Sequence, residues 1–288
     1  MVDYILGNYL VETGKITEEQ LTETLNKQDS VRVKLGLIAV SEGMMTLEQT
    51  DEVNKLQAIM DQRFGDIAVS KGYLTDDQVG KLLKQQGNAY LMFVQTLVDS
   101  GYIQMEEVDT LINDFRQAKG YSHSEMEDIK SDEVERIVPL FLPTAGKQYA
   151  EIISTAIRTI IRLIDRRVSI GEVVMTDAMP AEAQVNQSLA GNKGIVDCLS
   201  EGCGALLKTA TIFGQEAFEQ IDMDSLDAAG EFLNCINGLY ASSMSRQGEF
   251  LELLPPEYVD VTNKAKNICK VPVHVGNQCL FFTVAELV

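Results

Sequence analysis

Histidine is scarce in this sequence, which has only His123 and His274 among its 288 residues. Because the two stand far apart along the chain, a histidine-rich metal centre is excluded. The five cysteines are scattered and form no Cys-x-x-Cys pair, so they predict reduced thiols rather than a zinc site or disulfides. The sequence therefore predicts no metal site in this chain.

Basic charge and long apolar runs are lacking as well. The chain has 24 Lys and Arg against 43 Asp and Glu, a formal net charge of −19. Nucleic-acid binding needs a concentrated basic face, so no nucleic-acid partner is expected, and docking on anionic lipid is disfavoured. No apolar run approaches the length of a membrane span, and the first residues, Met-Val-Asp-Tyr, lack the basic region of a signal peptide. These observations predict a cytoplasmic protein with no membrane partner.

The first 115 residues contain an internal repeat with a period of 29 residues. Each repeat has three markers in the same order. The first is an apolar residue followed by glycine, or by valine in the fourth repeat. The second is a glycine, and the third is an apolar residue followed by threonine, or by glutamine in the fourth repeat. The second glycine suits the left-handed residue just past a helix end, and the threonines have capping-box spacing to a glutamine. The pattern predicts a compact all-helical domain over residues 1–115. The markers are Leu6-Gly7, Leu35-Gly36, Phe64-Gly65 and Phe93-Val94; Gly14, Gly43, Gly72 and Gly101; Ile16-Thr17, Met45-Thr46, Leu74-Thr75 and Ile103-Gln104; and Gln28, Gln57 and Gln86.

These units resemble the N-terminal (MshEN-like) domain of type II secretion and type IV pilus assembly ATPases. In part of that family, two tandem Arg-Leu-Gly motifs ending in Gln bind cyclic di-GMP. The matching positions here are Lys34 and Gly36 in the second unit and Arg63 and Gly65 in the third. The resemblance implies a cyclic di-GMP site at these residues. Lysine replaces the first arginine, and it grips phosphate or stacks on guanine less well. The alternative is a helical adaptor, in which the leucines and glycines serve packing.

The rest of the chain is predicted to be a linker over residues 116–147 and a second domain over 148–288. Glycine, proline and an acidic run interrupt the periodicity in the linker. Hairpins and separated helices then predict an α+β domain with a mainly antiparallel sheet. Its predicted helices are 152–164, 204–213 and 224–244, and its predicted strands are 171–176, 184–190, 194–199, 249–254, 269–275 and 280–284.

A polar stripe lies on the last of these helices. Leu226, Ala229, Leu233, Ile236 and Tyr240 fall on one face of the helix. Asp227, Glu231, Asn234 and Gly238 fall on another face, roughly 150° away. The second face presents carboxylates and a carboxamide beside a glycine, and such groups can hold a water molecule and engage a cation together.

The spacing Asp227-x3-Glu231-x2-Asn234, followed by Pro255 and Pro256, resembles the signature of the CheC/CheX/FliY chemotaxis phosphatases. A single copy of the motif resembles the CheX branch most. The resemblance implies a phosphatase that hydrolyses the aspartyl phosphate of a CheY-like receiver domain.

In that family Asn234 would orient the attacking water, and Glu231 would engage the active-site lysine of the receiver. Asp227 and Gly238 would take part in docking. The receiver would supply Mg²⁺, so this chain would need no cofactor of its own. A homodimer through the C-terminal domain is a further expectation. Two other functions stay open at this point: a non-catalytic adaptor that binds a receiver, and a cyclic di-GMP effector acting through the N-terminal repeats.

Overall fold

A computed structural model describes residues 1–60 and 62–288, and of residue 29 the backbone only. The chain divides into two compact units, Val2–Asp132 and Glu133–Val288. Within the described residues, no helix is long and apolar enough to span a bilayer.

The N-terminal unit is helical. Each of the four sequence repeats has a first and a second helix, spaced at the period of the sequence, and a further helix follows the fourth repeat. They are α1 (Val2–Glu12), α2 (Glu18–Lys27), α3 (Leu35–Ser41), α4 (Leu47–Gln57), α5 (Phe64–Ser70), α6 (Asp76–Lys84), α7 (Ala89–Asp99), α8 (Val108–Lys119) and α9 (His123–Ser131), with 3-10 turns at Gln28–Ser30 and Met105–Glu107.

The predicted helix starts are confirmed at three of the second helices. Thr17, Thr46 and Thr75 each accept a hydrogen bond from the backbone N–H three residues later, and the glutamine at that position reciprocates. The glycines that separate first from second helices have the left-handed backbone expected of them, with φ between 63° and 73°. These two devices define where one helix ends and the next begins.

The first glycine of repeats one to three lies at a close helix–helix contact. A Cβ built on Gly36 would stand 2.5 Å from Cγ2 of Thr50, and one on Gly65 would stand 2.9 Å from Cγ1 of Val79. Both glycines are buried, and both partners are on the following helix of the same unit. Glycine at these positions lets the two helices approach each other.

Helix α7 is the centre of this unit. It packs against α1, α2 and α3, which belong to the first two sequence repeats. Its buried apolar side chains include those of Phe93 and Leu97, each 1% exposed. The helices therefore close around α7 rather than extend as a linear stack.

Residues 116–147, predicted as a linker, are largely helical. They contain the end of α8, all of α9, α10 (Val134–Phe141) and a 3-10 helix at Thr144–Tyr149. Ser122 and Glu125 form a capping box that starts α9, and Met126 and Ile129 are buried. Of the acidic residues that suggested a linker, Glu127 on α9 is exposed and Glu125 and Asp128 are half-buried, while the apolar residues between them are buried.

The C-terminal unit combines helices with one antiparallel sheet, as the sequence predicted. In the described part of the chain the strand order is β1-β6-β7-β4-β3-β5, with β2 also paired to β6. The remaining elements are α11 (Ala150–Leu163), β1 (Val168–Ile170), β2 (Val174–Thr176), β3 (Gln184–Gly191), β4 (Ile195–Glu201), α12 (Ala205–Gly214), α13 (Met223–Arg246), β5 (Leu251–Leu253), β6 (Ala265–Val275) and β7 (Gln278–Leu287).

The two strands nearest the domain start differ from the prediction. Of the strand expected at 171–176 only β2 forms, and a short strand that was not predicted, β1, precedes it; the two pair with different parts of β6. Gly171 lies between them, and a Cβ there would stand 2.9 Å from the side chain of Pro272. Strand β6 also begins earlier than predicted and has a bulge between Lys266 and Cys269, where Asn267 has φ 53°.

Helices α11, α12 and α13 contact the sheet strands, and α13 lies along β3, β4 and β5. Strand side chains alternate between the two sheet faces, so Val196 and Cys198 point away from Asp197. Val196 and Cys198 belong to a buried cluster that includes Met179, Val261, Ile268 and Ala285. Asp197 lies on the face shared with α13, to which it is hydrogen-bonded. The sheet is thus buried on both faces, and α13 forms part of one cover.

Candidate functional site

Helix α13 is fixed at its start and along one face. Asp222 caps it by accepting from the backbone N–H of Ser225, whose side chain accepts from the N–H of Asp222 in return. Ala229, Leu233 and Ile236 of the predicted apolar stripe are fully buried. Leu226 and Tyr240 at its ends are half-buried. The helix therefore has a defined rotation about its axis.

This rotation leaves the polar stripe on the surface. Asp227, Glu231 and Asn234 are exposed, and Gly238 is half-buried. Because residues three and four apart are neighbours on a helix, the two carboxylates and the amide share one outward face. The structure brings the sequence-predicted residues of this domain together in one continuous patch.

A side chain of strand β3 is hydrogen-bonded to the Asn234 side chain. Its Oδ1 accepts a hydrogen bond of 2.8 Å from Nε2 of Gln187, a residue only 1% exposed. The same Nε2 donates a second bond of 2.8 Å to the backbone carbonyl of Leu254. The exposed amide of Asn234 is thus anchored to a buried side chain.

The hydrogen bonds that anchor Asn234 continue from Gln187 into the core. Nδ2 of Asn237 donates to Oε1 of Gln187 and to Oδ1 of Asp197, both at 2.9 Å. Asn237 and Asp197 are fully buried, and Asp197 stands directly opposite Gln187 in the pairing of β3 with β4. Burial raises the pKa of the Asp197 carboxyl to about 8, although the bond from Asn237 acts in the opposite direction.

The outer end of the stripe is bonded to the loop after β5. The hydroxyl of Tyr258 donates a hydrogen bond of 3.0 Å to Oδ1 of Asp227. Partial burial, that bond and the negative charges of Asp227 and Glu231 raise the pKa of Tyr258 to about 12. Tyr258 is therefore neutral at physiological pH and available as a donor to Asp227.

Two glycines on α13 differ in what surrounds them. A Cβ on Gly230 would stand 3.3 Å from the Tyr258 hydroxyl and 3.5 Å from Cβ of Pro256, so this glycine admits the loop after β5. A Cβ on Gly238 would meet no atom within 4 Å in the described structure. Gly238 therefore leaves open space beside Asn234 on the helix surface.

Sequence reasoning missed Gln187, Asn237, Asp197 and Tyr258. Asn237 carried a signal, because it follows Asn234 by three residues and is polar on a largely apolar flank. Tyr258 comes shortly after Pro255 and Pro256, which the sequence had already singled out. Gln187 and Asp197 gave no local signal, since their role depends on the pairing of two strands with each other and with α13.

Of the four N-terminal residues assigned to a cyclic di-GMP site, Lys34, Gly36 and Gly65 contact other parts of this unit. Nζ of Lys34 pairs with Oδ1 of Asp99 at 2.7 Å, and its backbone N–H donates to the Gln95 side chain. Arg63 is exposed at the start of α5, and the ring of Phe64 lies against Gly36. Gly36 and Gly65 lie at the helix contacts described above. These placements account for both glycines by helix packing, and cyclic di-GMP binding stays a prediction.

No group of three or more His, Cys, Asp or Glu side chains is arranged to hold a metal ion among the residues that the structure covers. What the α13 stripe offers instead is a carboxamide with a fixed anchor and two carboxylates. An amide can orient water by hydrogen bonds, and a carboxylate can pair with a cation from a partner.

No protein-family model matches this sequence, and no curated protein matches it. Solved structures of chemotaxis proteins are similar to about half of the chain. CheX from Desulfovibrio desulfuricans matches with a TM-score of 0.40 and 13% identity, over 48% of this chain and 97% of that one. CheX of Borrelia burgdorferi, crystallised with CheY, BeF₃ and Mg²⁺, matches with a TM-score of 0.41 and 15% identity, over 48% and 96%. FliY of Thermotoga maritima matches with a TM-score of 0.36 and 15% identity, over 50% and 91%.

Proposed function

We propose that this chain is a phosphatase for the aspartyl phosphate of a CheY-like receiver domain. The observation that carries the proposal is the exposed pair of Glu231 and Asn234 on one face of α13, with the Asn234 amide anchored by Gln187. The spacing of these residues is the one that resembles the CheC/CheX/FliY signature.

Hydrolysis of an aspartyl phosphate needs a water molecule held in line with the phosphorus. Its oxygen forms the new bond to phosphorus, and the bond to the receiver carboxylate breaks with its electron pair left on the carboxylate. Both water protons leave on inorganic phosphate. Phosphoryl transfer of this kind depends mainly on positioning and charge neutralisation, and an oriented amide supplies the positioning. Asn234 has this role in the proposal.

Glu231 engages the active-site lysine of the receiver, and Asp227 belongs to the docking surface with Gly238 beside it. Magnesium comes with the receiver. Exposed apolar side chains border the stripe: Met223, one turn before Asp227, is 60% exposed, and Leu239, next to Gly238, is 48% exposed. Apolar residues at the edge of a polar site suit a transient protein partner.

The test is release of phosphate from a panel of CheY-like receivers phosphorylated with a small phosphodonor. Wild-type chain is expected to accelerate the loss for at least one receiver, and Asn234→Ala and Glu231→Ala to reduce that acceleration by roughly 100-fold or more. Ser245→Ala, exposed on the same helix beyond the stripe, is the matched control and should keep full activity. Binding of a receiver without faster phosphate loss would instead support a non-catalytic adaptor.

A further inference from the structure

The hydrogen bonds behind Asn234 form a chain with a defined direction. A backbone carbonyl can only accept, so Gln187 must turn its Nε2 toward the carbonyl of Leu254. The second Nε2 hydrogen then points at Asn234, which must present Oδ1 to it. As a result the Nδ2 end of Asn234 is directed away from Gln187.

The other end of Gln187 is fixed in the same way. With its Nε2 used twice, Gln187 presents Oε1 to Asn237, which must supply a donor. The second Nδ2 hydrogen of Asn237 goes to Oδ1 of Asp197. That oxygen accepts whether the carboxyl is charged or carries its proton on Oδ2, so the direction of the chain does not depend on ionisation.

The residues that form this hydrogen-bond chain behind Asn234 are also buried from solvent. Gln187 is 1% exposed, and Asn237 and Asp197 are 0% exposed, so no bulk water competes for these bonds. In such surroundings a Gln187 amide turned the wrong way would place acceptor against acceptor at Leu254 and Asn234 and donor against donor at Asn237, and its hydrogen bonds would be lost.

Irregular pairing of β3 with the segment after Leu254 explains why the carbonyl of Leu254 is free for this purpose. Leu254 N–H donates to the carbonyl of Ser188, and Asn186 pairs with Glu257 through both backbone bonds. Between these pairs the outer segment has one residue more than β3 and contains Pro255 and Pro256, which have no N–H to add to the ladder. The pairing of the two strands is interrupted opposite Gln187, and the Gln187 side chain donates a hydrogen bond to the carbonyl of Leu254 instead.

We propose that Gln187 is a positioning residue that determines which end of the Asn234 amide faces a partner. This inference rests on the proposed phosphatase function for its catalytic consequence. With Nδ2 outward, Asn234 donates a hydrogen to the oxygen of the attacking water and leaves a lone pair of that oxygen for the phosphorus. Asn237 and Asp197 act behind Gln187 and hold it in this orientation.

The structural arm of the test uses the ¹⁵N-labelled full chain and follows the side-chain NH₂ signal of Asn234, identified by its loss in Asn234→Ala. In wild type both hydrogens face outward and exchange rapidly with water. In Gln187→Glu the new carboxyl has at most one hydrogen to donate, and the carbonyl of Leu254 accepts it. Asn234 then faces an acceptor, so its amide turns over and one of its hydrogens becomes protected from exchange. Gln187→Met removes the anchor and leaves the NH₂ group averaged over both orientations.

The kinetic arm measures turnover of the phosphorylated receiver and the affinity for it separately. Gln187→Met is expected to lower the maximal rate about 10-fold, equivalent to one lost hydrogen bond, with the affinity unchanged. In an Asn234→Ala background the same change should have no further effect. Asn186→Leu is the control, because Asn186 is equally buried on β3 but faces the other side of the sheet and bonds the carbonyl of Val259.

If Gln187→Met does not fold, Asn237→Ser provides a second variant, because it removes the amide donor to Oε1 of Gln187. It is expected to average the Asn234 NH₂ signal over both orientations, as Gln187→Met would. An unchanged Asn234 signal in every folded Gln187 or Asn237 variant overturns the positioning role, whatever the activity. Equal rate losses with and without Asn234 also overturn it. Failure of wild type to act on any receiver overturns the phosphatase function alone, and the exchange measurement then still decides the orientation of Asn234.

Discussion

Asn237 on α13 donates a 2.9 Å hydrogen bond to Asp197 on β4, and both side chains are fully buried. This bond partly offsets the burial of the carboxyl, but it leaves Oδ2 of Asp197 without a hydrogen-bond partner among the described residues. A charged carboxylate is poorly tolerated in such a place, so the pKa of Asp197 is raised to about 8.

The raised pKa predicts that stability falls as pH rises. The folded protein keeps the Asp197 proton up to about pH 8, whereas the unfolded chain loses it near the ordinary value of about 4. The stabilising effect is complete below the unfolded pKa and is lost as pH rises through the folded pKa. Between these limits wild type should lose about 1.4 kcal/mol per pH unit relative to Asp197→Asn. Urea unfolding of both proteins at pH 5, 6 and 7 measures the difference, and parallel profiles would contradict a neutral Asp197.

The local features of α13 could be predicted from the sequence, whereas the groups that act through long-range contacts could not. The apolar stripe from Leu226 to Tyr240 and the outward position of Glu231 follow from helix periodicity alone. Gln187 reaches Asn234 only because β3 pairs with β4 and because the ladder beyond Leu254 is interrupted. Strand register depends on partners far away in sequence, so residue spacing does not show it.

The glycine contacts of the N-terminal unit predict opposite effects for two Gly→Ala changes. Gly36→Ala would place a Cβ 2.5 Å from Thr50 and 3.2 Å from the ring of Phe64, and it should destabilise the chain by about 1–3 kcal/mol. Gly80→Ala is the control, because Gly80 lies inside α6 with open space around it. It should stabilise by about 0.5–1 kcal/mol, the usual difference between the two residues in a helix. Thermal unfolding compares them, and equal shifts would refute the packing role of Gly36.

Helix packing as the role of these glycines also bears on cyclic di-GMP. Lys34 is paired with Asp99, and Gly36 and Gly65 face neighbouring helices rather than open space. Calorimetric titration of the full chain with cyclic di-GMP is therefore expected to give no binding heat. Micromolar binding that disappears in Arg63→Ala but persists in Arg32→Ala, an exposed arginine outside the motif, would establish the nucleotide site instead.

The open space beside Gly238 predicts that bulk there affects partner binding but not folding. Gly238→Phe meets no atom within 4 Å of its Cβ, so thermal stability should stay at least at the wild-type level. A phenyl ring next to Asn234 would, however, block a docked receiver. Receiver affinity should fall by about 10-fold or more, equivalent to about 1.4 kcal/mol. The same substitution at Ser245, further along the exposed helix, should leave affinity unchanged. Unaltered binding by Gly238→Phe would place the docking surface elsewhere.

Helix α10 predicts where an independent C-terminal fragment must begin. Ile137 and Val138 on α10 are 0% exposed, and α10 packs against α11 within the unit that starts at Glu133. A fragment that starts at Lys147 loses both side chains and exposes the face of α11 that they cover. Burial of one such side chain contributes about 1.5–3 kcal/mol, so fragment 133–288 should be more stable than 147–288 by several kcal/mol. Urea unfolding of the two fragments measures this, with Ile137→Ala in the longer one as an intermediate case. Equal stability of the two fragments would instead support a C-terminal domain that starts at residue 148, as predicted from the sequence.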